Sequence, residues 1–214
     1  MSSRCLSEDE LKNEIVRVMK DLYEKSLVNA LAGNVSARER GAREFWITPS
    51  GLFKGGLKSE DLIKVDLHGN IITGAHKPSI ETKTHAAIYK VRQDINAIVH
   101  AHNPWLLGLS MAGAEIRPRI TVDAALLIKG VEKVGFKAPG SSALAEEVAS
   151  AARRGANAII LENHGVIGLG SDLLEAEAIV EIMEALAIME FTCYAMGKEP
   201  KEIPLDEIEA MRKY

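Results

Sequence analysis

Three imidazoles and one carboxylate are the residues of this chain whose types and spacing could do chemistry. Val99-His100-Ala101-His102 closes an apolar stretch, residues 96–102, that reads as a β-strand. Side chains alternate faces along a strand, so His100 and His102 project the same way. A second apolar run, Ala158-Ile159-Ile160-Leu161, ends in Glu162-Asn163-His164-Gly165, and an imidazole at that strand end can converge on the first two. Three neutral imidazoles around Zn2+ leave a fourth position open, as in a catalytic rather than a structural metal site. Glu81 offers a carboxylate near the start of a predicted helix.

A metal with an open position can hold two adjacent oxygens of a hydroxy-ketone. It polarises the carbonyl and stabilises the negative enediolate oxygen formed when a neighbouring bond breaks, while a nearby carboxylate moves the proton. Retro-aldol cleavage, epimerisation, dehydration and decarboxylation all pass through such an enolate. The four residues therefore define a chemistry shared by several reactions. His85 lies four residues after Glu81 on the same helix face and reads as a packing or supporting residue. His68 and His76 fall in loops. Three short segments suit an anion. Gly33-Asn34 and Ser50-Gly51 are turns whose N–H groups can form a concave nest. Ser79 stands at a predicted helix N-terminus, where unpaired N–H groups and the dipole attract phosphate. Beside a metal and a carboxylate, these segments point to a phosphorylated or carboxylated substrate.

The elements that must position these groups follow from periodicity. Ser7 and Glu10 have capping-box spacing, and Leu11, Ile15, Val18, Met19 and Leu22 follow at helical spacing, which predicts a helix over 7–27. Residues 32–36 form a glycine-bearing turn into a short strand, and 45–48 a strand ending at Pro49-Ser50-Gly51. Residues 62–67 and 71–73 flank His68-Gly69-Asn70 as a hairpin. A helix over 78–92 precedes the His100 strand, and Pro104 opens another. Residues 113–139 carry mixed short strands and a short helix over 123–129. A helix capped by Ser141 or Ser142 runs to 154, strands cover 158–161 and 166–169, and a long helix capped by Ser171 runs to 196. That helix is apolar almost all round, which places it in the core or under another subunit. The pattern predicts a single domain with its core over about 7–196 and a helical tail over about 198–214. Its architecture is a largely antiparallel sheet covered by helices on both sides.

Composition narrows the partners. The chain has 214 residues, 47% hydrophobic and 26% charged, with a formal charge of −4. That suits a globular enzyme-sized domain with a sizeable core and gives no basic footprint for nucleic acid. Residues 7–27 are amphipathic rather than continuously apolar, so they neither span a membrane nor direct secretion, and a cytoplasmic location is expected. Cys5 and Cys193 lie far apart without metal-ligand spacing, which suits a reducing compartment.

Five segments taken in order resemble the class II aldolase/adducin family: Ala32-Gly33-Asn34-Val35-Ser36, Ile47-Thr48-Pro49-Ser50-Gly51, Lys77-Pro78-Ser79-Ile80-Glu81, Ile98-Val99-His100-Ala101-His102 and Asn163-His164-Gly165-Val166. The resemblance runs from the first helix to about residue 195. It implies a three-layer α/β/α domain and a homotetramer with active sites at subunit boundaries. It also implies Zn2+, or another divalent cation such as Mn2+ or Co2+, on His100, His102 and His164. Glu81 takes the acid/base position and also a place among the metal ligands in the resting enzyme. Asn34, Ser50, Gly51 and Ser79 match positions that hold a substrate phosphate. The implied reaction is aldol cleavage of a ketose 1-phosphate of the L-fuculose type to dihydroxyacetone phosphate and an aldehyde. A dehydratase of the methylthioribulose-1-phosphate type, a 4-epimerase and a decarboxylase are the alternatives on the same scaffold. The epimerase pattern has aspartate where this chain has Glu81. A non-catalytic adducin-like module would lack the metal histidines.

Two departures stand out. The family's sugar-phosphate aldolases carry a hydroxyl residue immediately before the glutamate, and here it is Ile80. The fuculose-type enzymes also draw a proton-donating tyrosine from a neighbouring subunit. The matching stretch here, Ile120-Thr121-Val122-Asp123-Ala124, has none. Asp123 there reads as a helix-start aspartate or as a substitute donor.

Overall fold

A computed structural model of the chain describes residues 6–213. The first helix, α1 (Glu8–Glu24), starts at the predicted capping box. The Ser7 hydroxyl accepts the Glu10 N–H, and the Glu10 carboxylate accepts the Ser7 N–H. Its apolar residues, Leu11 through Leu22, are buried on one face.

Among the described residues, eight strands form one sheet: β1 (Asn34–Ala37), β2 (Glu44–Ile47), β3 (Ile63–Asp66), β4 (Ile71–Thr73), β5 (Ala97–Ala101), β6 (Val131–Val134), β7 (Ala158–Leu161) and β8 (Gly165–Gly170). Their order is β4-β3-β2-β1-β5-β8-β7-β6. Every neighbouring pair is antiparallel except β6 with β7. The sheet is thus largely antiparallel, as the sequence predicts, with the 62–73 hairpin at one edge.

Strand alternation sorts the core into two layers. Val35, Ala37, Val99, Ala101, Ile160 and Val166 pack with α1 and with α6 (Leu173–Ala195). Ile98, Ile159, Leu161, Ile167 and Leu169 pack on the opposite face with α2 (Thr82–Val91) and α5 (Ser142–Arg153). The result is a three-layer α/β/α domain. On the first face, α3 (Pro104–Met111) and α4 (Val122–Leu127) pack beside α6. Residues 113–139 resolve into a 3-10 turn (Pro118–Ile120), α4 and β6. The tail helix, α7 (Leu205–Met211), buries Ile208 and lies against α4. There the Arg212 guanidinium donates to the Ala125 carbonyl.

The long helix differs from expectation at its start. Asp172, not Ser171, is the N-cap, because its carboxylate accepts the Glu175 N–H at 2.9 Å. Ser171 instead donates its N–H and hydroxyl to the Glu175 carboxylate. The helix is also less uniformly buried than its composition implies. Ile179, Val180, Met183 and Leu186 are buried, while Leu174, Ile188, Met189 and Phe191 are exposed.

Glycines on β8 let α6 lie this close to the sheet. A Cβ at Gly168 would sit 2.5 Å from the Ala176 carbonyl oxygen, which is helix backbone and cannot swing aside. Gly168→Ala should therefore lower unfolding free energy by about 1–3 kcal/mol, the usual cost of overpacking, measured as a reduced midpoint in urea.

Candidate metal centre

The sheet places the histidines. His100 on β5 is in register with Asn34 on β1 and Ile167 on β8, so its side chain points to the α2 side. His102 lies just past the strand end, and its N–H donates to the Leu27 carbonyl at 2.8 Å. The chain then turns into α3. Buried Asn103 donates from its side chain to the Val180 carbonyl at 2.7 Å, and Glu184 on α6 accepts the N–H groups of Trp105 and Leu106. Those contacts cap α3 from across the core and fix where His102 leaves the sheet. His164 sits in the short turn joining β7 to β8. There Asn163 has φ +58°, a left-handed conformation that asparagine tolerates.

The rings converge. Centroids are 5.0 Å apart for His100–His102, 4.8 Å for His100–His164 and 5.2 Å for His102–His164. One nitrogen from each lies within 4.8 Å of the others. The His100 Nδ1 faces the Val166 carbonyl at 3.0 Å. A carbonyl only accepts, so Nδ1 carries the proton and Nε2 is left for other work.

Glu81 meets them from α2. It is the N-cap residue of that helix rather than a residue inside its first turn, because the helix starts at Thr82. Its carboxylate makes no capping bond. It turns inward instead: Oε2 accepts the Asn34 side-chain N–H at 2.7 Å and lies 3.0 Å from His100 Nε2, and Oε1 lies 3.6 Å from His164 Nε2. Burial alone would raise the Glu81 carboxyl. Its electrostatic interaction with His100 and His164 and the Asn34 hydrogen bond outweigh it and hold the group below its ordinary value. Burial and the neighbouring imidazoles push His102 down to about 3, so that ring is neutral at physiological pH. Burial and His100 push His164 down as well.

These groups fit a cation. His100 Nε2 faces His102 Nε2 at 3.1 Å and the Glu81 carboxylate at 3.0 Å. Glu81 Oε1 is buried without a hydrogen-bond partner. A proton on His100 Nε2 reconciles one of these contacts, whereas a divalent cation between the rings reconciles all of them. Neutral imidazoles with a carboxylate are a donor set that divalent zinc-like ions prefer.

The three anion-suited segments come together, with changes. Pro49 pairs with Pro78 in an isolated bridge, in which the Ser50 N–H donates to the Lys77 carbonyl and the Ser79 N–H to the Thr48 carbonyl. Those two amides are therefore spent on joining the turns and are not offered to a ligand. Ser79 is not at the helix N-terminus. It lies two residues before the Glu81 cap, and its hydroxyl accepts the Glu81 N–H at 3.3 Å. Among the described residues, the N–H groups of Gly51 and Ile80 have no protein partner. Asn34 and Ser79 are buried, Gly51 has φ +74°, and the Ile80 side chain is 64% exposed.

Other expectations hold in part. His85 is buried, with Nδ1 2.7 Å from the Ser36 hydroxyl, which in turn meets Tyr89. Burial pushes it to about 3, so it supports the floor of the site as a neutral ring. His76 pairs with Asp61 at 3.3 Å in a loop, and His68 is exposed. Asp123 is exposed in the first turn of α4, where Thr121 is the cap. Cys193 is a free, half-buried thiol, and Cys5 lies outside the described residues. No helix among the described residues is long and apolar enough to cross a membrane. Sequence reasoning missed Lys54, a buried cation below the Ser50-Gly51 turn. Its one sequence signal was a place three residues past that turn, and a lone lysine before two glycines has no periodicity.

Residues 13–191 match the family model of the class II aldolase and adducin N-terminal domain. L-fuculose phosphate aldolase of Methanocaldococcus jannaschii is 38% identical over 176 residues, 82% of this chain and 93% of its own length. The 3-oxo-tetronate 4-phosphate decarboxylase of Haemophilus influenzae is 34% identical over 186 residues, 85% of this chain and 87% of its own. A solved structure of an L-fuculose 1-phosphate aldolase aligns with a TM-score of 0.86 and 32% identity, over 99% of this chain and 98% of that one. The chain belongs to the class II aldolase family and is a lyase of that family.

Gly165, the first residue of β8, directly follows His164, and a Cβ there would lie 2.3 Å from the Ala101 carbonyl oxygen and 2.8 Å from His100 Cε1. Gly165→Ala should displace His100 and cut bound divalent metal well below the wild-type stoichiometry, measured by elemental analysis of the purified protein. Wild-type metal content in that variant would show that the spacing is not needed.

Proposed function

We propose that this enzyme cleaves a ketose 1-phosphate of the L-fuculose type to dihydroxyacetone phosphate and an aldehyde. It works as a cytoplasmic homotetramer with Zn2+ on His100, His102 and His164. The observation that carries this reading is Glu81: a buried carboxylate, free of any capping role, aimed at the imidazole cluster and oriented by Asn34.

The bound cation supplies Lewis-acid polarisation of the substrate carbonyl. The protein residues do the rest. His100 is held in one tautomer by the Val166 carbonyl, which keeps its Nε2 available. Asn34, Gly51 and Ser79, with the Ile80 N–H, hold the phosphate, and Ser50 contributes through its hydroxyl because its amide is bonded to Lys77. Glu81 accepts the proton of the substrate hydroxyl whose carbon becomes the aldehyde. The carbon–carbon bond breaks, its electrons form the enediolate, and Glu81 returns the proton to the enediolate carbon. One carboxylate serving both transfers suits a chain with no tyrosine in residues 120–125.

The missing tyrosine also favours a second reading, decarboxylation of a 3-oxo acid phosphate, which needs no proton taken from a hydroxyl that becomes an aldehyde. Its support is the likeness to the Haemophilus influenzae decarboxylase. NMR of the products separates the two: an aldolase yields two carbonyl fragments, and a decarboxylase yields carbon dioxide and one.

Two outcomes are expected. Glu81→Gln should lower kcat at least about a hundredfold, the range of a general acid–base group, and an unchanged kcat would remove Glu81 from the proton transfers. Ile80→Ser restores the family's hydroxyl, and a hydrogen bond to a charged group is worth about 1.5–3 kcal/mol. It should raise kcat/KM for a phosphorylated ketose about tenfold. A fall would mean the site was shaped for a less charged group.

A further inference from the structure

Lys54 is 2% exposed, and none of its neighbours among the described residues is a carboxylate in pairing distance. Its ammonium makes one hydrogen bond, to the Pro49 carbonyl at 2.5 Å. Among the described residues, the other two of its three N–H donors have no protein acceptor. Its chain neighbours Phe53 and Gly55 lie against Tyr23, and the Tyr23 and Phe53 rings meet edge to face with centroids 5.0 Å apart. The contrast with Arg38, equally buried and also without a carboxylate, is instructive. Arg38 spreads its donors over the carbonyls of Ala42, Arg92 and Ile95 and lies over the Tyr89 ring, so its environment satisfies it. Lys54 has no such set.

An isolated buried cation is costly, and a fold keeps one where something else supplies the opposite charge. The location says what that is. The Lys54 ammonium holds Pro49, the residue directly before Ser50-Gly51, and its backbone N–H donates to the Ala30 carbonyl at 2.9 Å in the loop that leads to Gly33-Asn34. Lys54 thus ties together two of the three segments proposed to hold the substrate phosphate. Burial lowers it to about 8, which leaves it mostly charged at neutral pH.

We propose that Lys54 is a positioning residue that supplies the buried counter-charge for the phosphate from beneath the Pro49-Ser50-Gly51 turn, and so sets the preference for phosphorylated over unphosphorylated substrates. This rests on the phosphate reading given above. Gln at this position keeps a donor for the Pro49 carbonyl and loses only the charge, which separates electrostatics from simple stapling.

The test is calorimetric titration of the metal-loaded enzyme with inorganic phosphate, together with KM for a phosphorylated ketose. In Lys54→Gln and Lys54→Met, phosphate affinity should fall about tenfold or more and KM should rise in step. The kcat, the metal content and the low activity on the unphosphorylated ketose should stay within about twofold, the factors expected for loss of one charge-assisted contact. The melting temperature without phosphate should not fall, since removing an unpaired buried charge relieves the fold. If Met disrupts folding, Gln carries the test. Wild-type phosphate affinity in Lys54→Gln would overturn the proposal and leave the phosphate reading standing, as would an equal loss of kcat on both kinds of substrate. Failure of the wild-type enzyme itself to bind phosphate would sink the phosphate reading, and the role of Lys54 with it.

Discussion

The antiparallel pairing of β5 between β1 and β8 is the constraint on which the site depends. The register sets Asn34, His100 and Ile167 side by side. Strand alternation then sends Asn34 and His100 to the α2 face and Val35, Val99 and Val166 into the opposite core. A slip of one residue would reverse every one of these directions. It would turn His100 toward α6 and the aliphatic side chains that hold the sheet to that helix toward α2. Packing and chemistry therefore select the same register. The close approach of Gly165 to Ala101 locks it further, because only a residue without a Cβ lets β8 reach that position.

Most of this architecture was legible in the sequence because its signals are local. Alternation gave the strands, the Ser7–Glu10 box gave the first helix, and His100, His102 and His164 were visible as strand-end imidazoles. What was not legible depended on contacts between distant segments. Glu81 was expected inside the first turn of α2, but the bridge between Pro49 and Pro78 holds residues 77–79 in extended backbone and delays the helix to Thr82. The same bridge takes up the Ser50 amide. Asp172 displaced Ser171 as the N-cap because the Ser171 hydroxyl was engaged by Glu175. Lys54 was missed because burial of a lysine is decided by tertiary packing, and no periodicity announces it.

Buried polar side chains serve both the fold and the site. Away from the histidines, Glu184 caps α3, the Asn103 amide N–H anchors to α6, and Arg38 fills carbonyls at the end of α2, although other buried atoms there, among them Asn103 Oδ1 and Glu190 Oε2, lack partners too. Near the histidines, the Glu81 Oε1, Asn34 Oδ1, His85 Nε2 and His164 Nδ1 atoms are buried without partners. Unsatisfied polar atoms cost stability unless a ligand completes them. The four atoms around the histidines are ones that a cation and an oxygen-rich substrate could complete.

The proposed centre is tested most directly by the absorption spectrum of the Co2+-substituted enzyme, recorded before and after addition of dihydroxyacetone phosphate. Binding of the metal by the imidazoles gives visible d–d bands, and a substrate fragment that reaches the open position shifts them. Bands that shift on adding dihydroxyacetone phosphate, and that are absent from His100→Ala, are the predicted result. Bands of the same intensity in His100→Ala, or a spectrum indifferent to dihydroxyacetone phosphate, would contradict a centre in which these residues hold the metal where the substrate reacts.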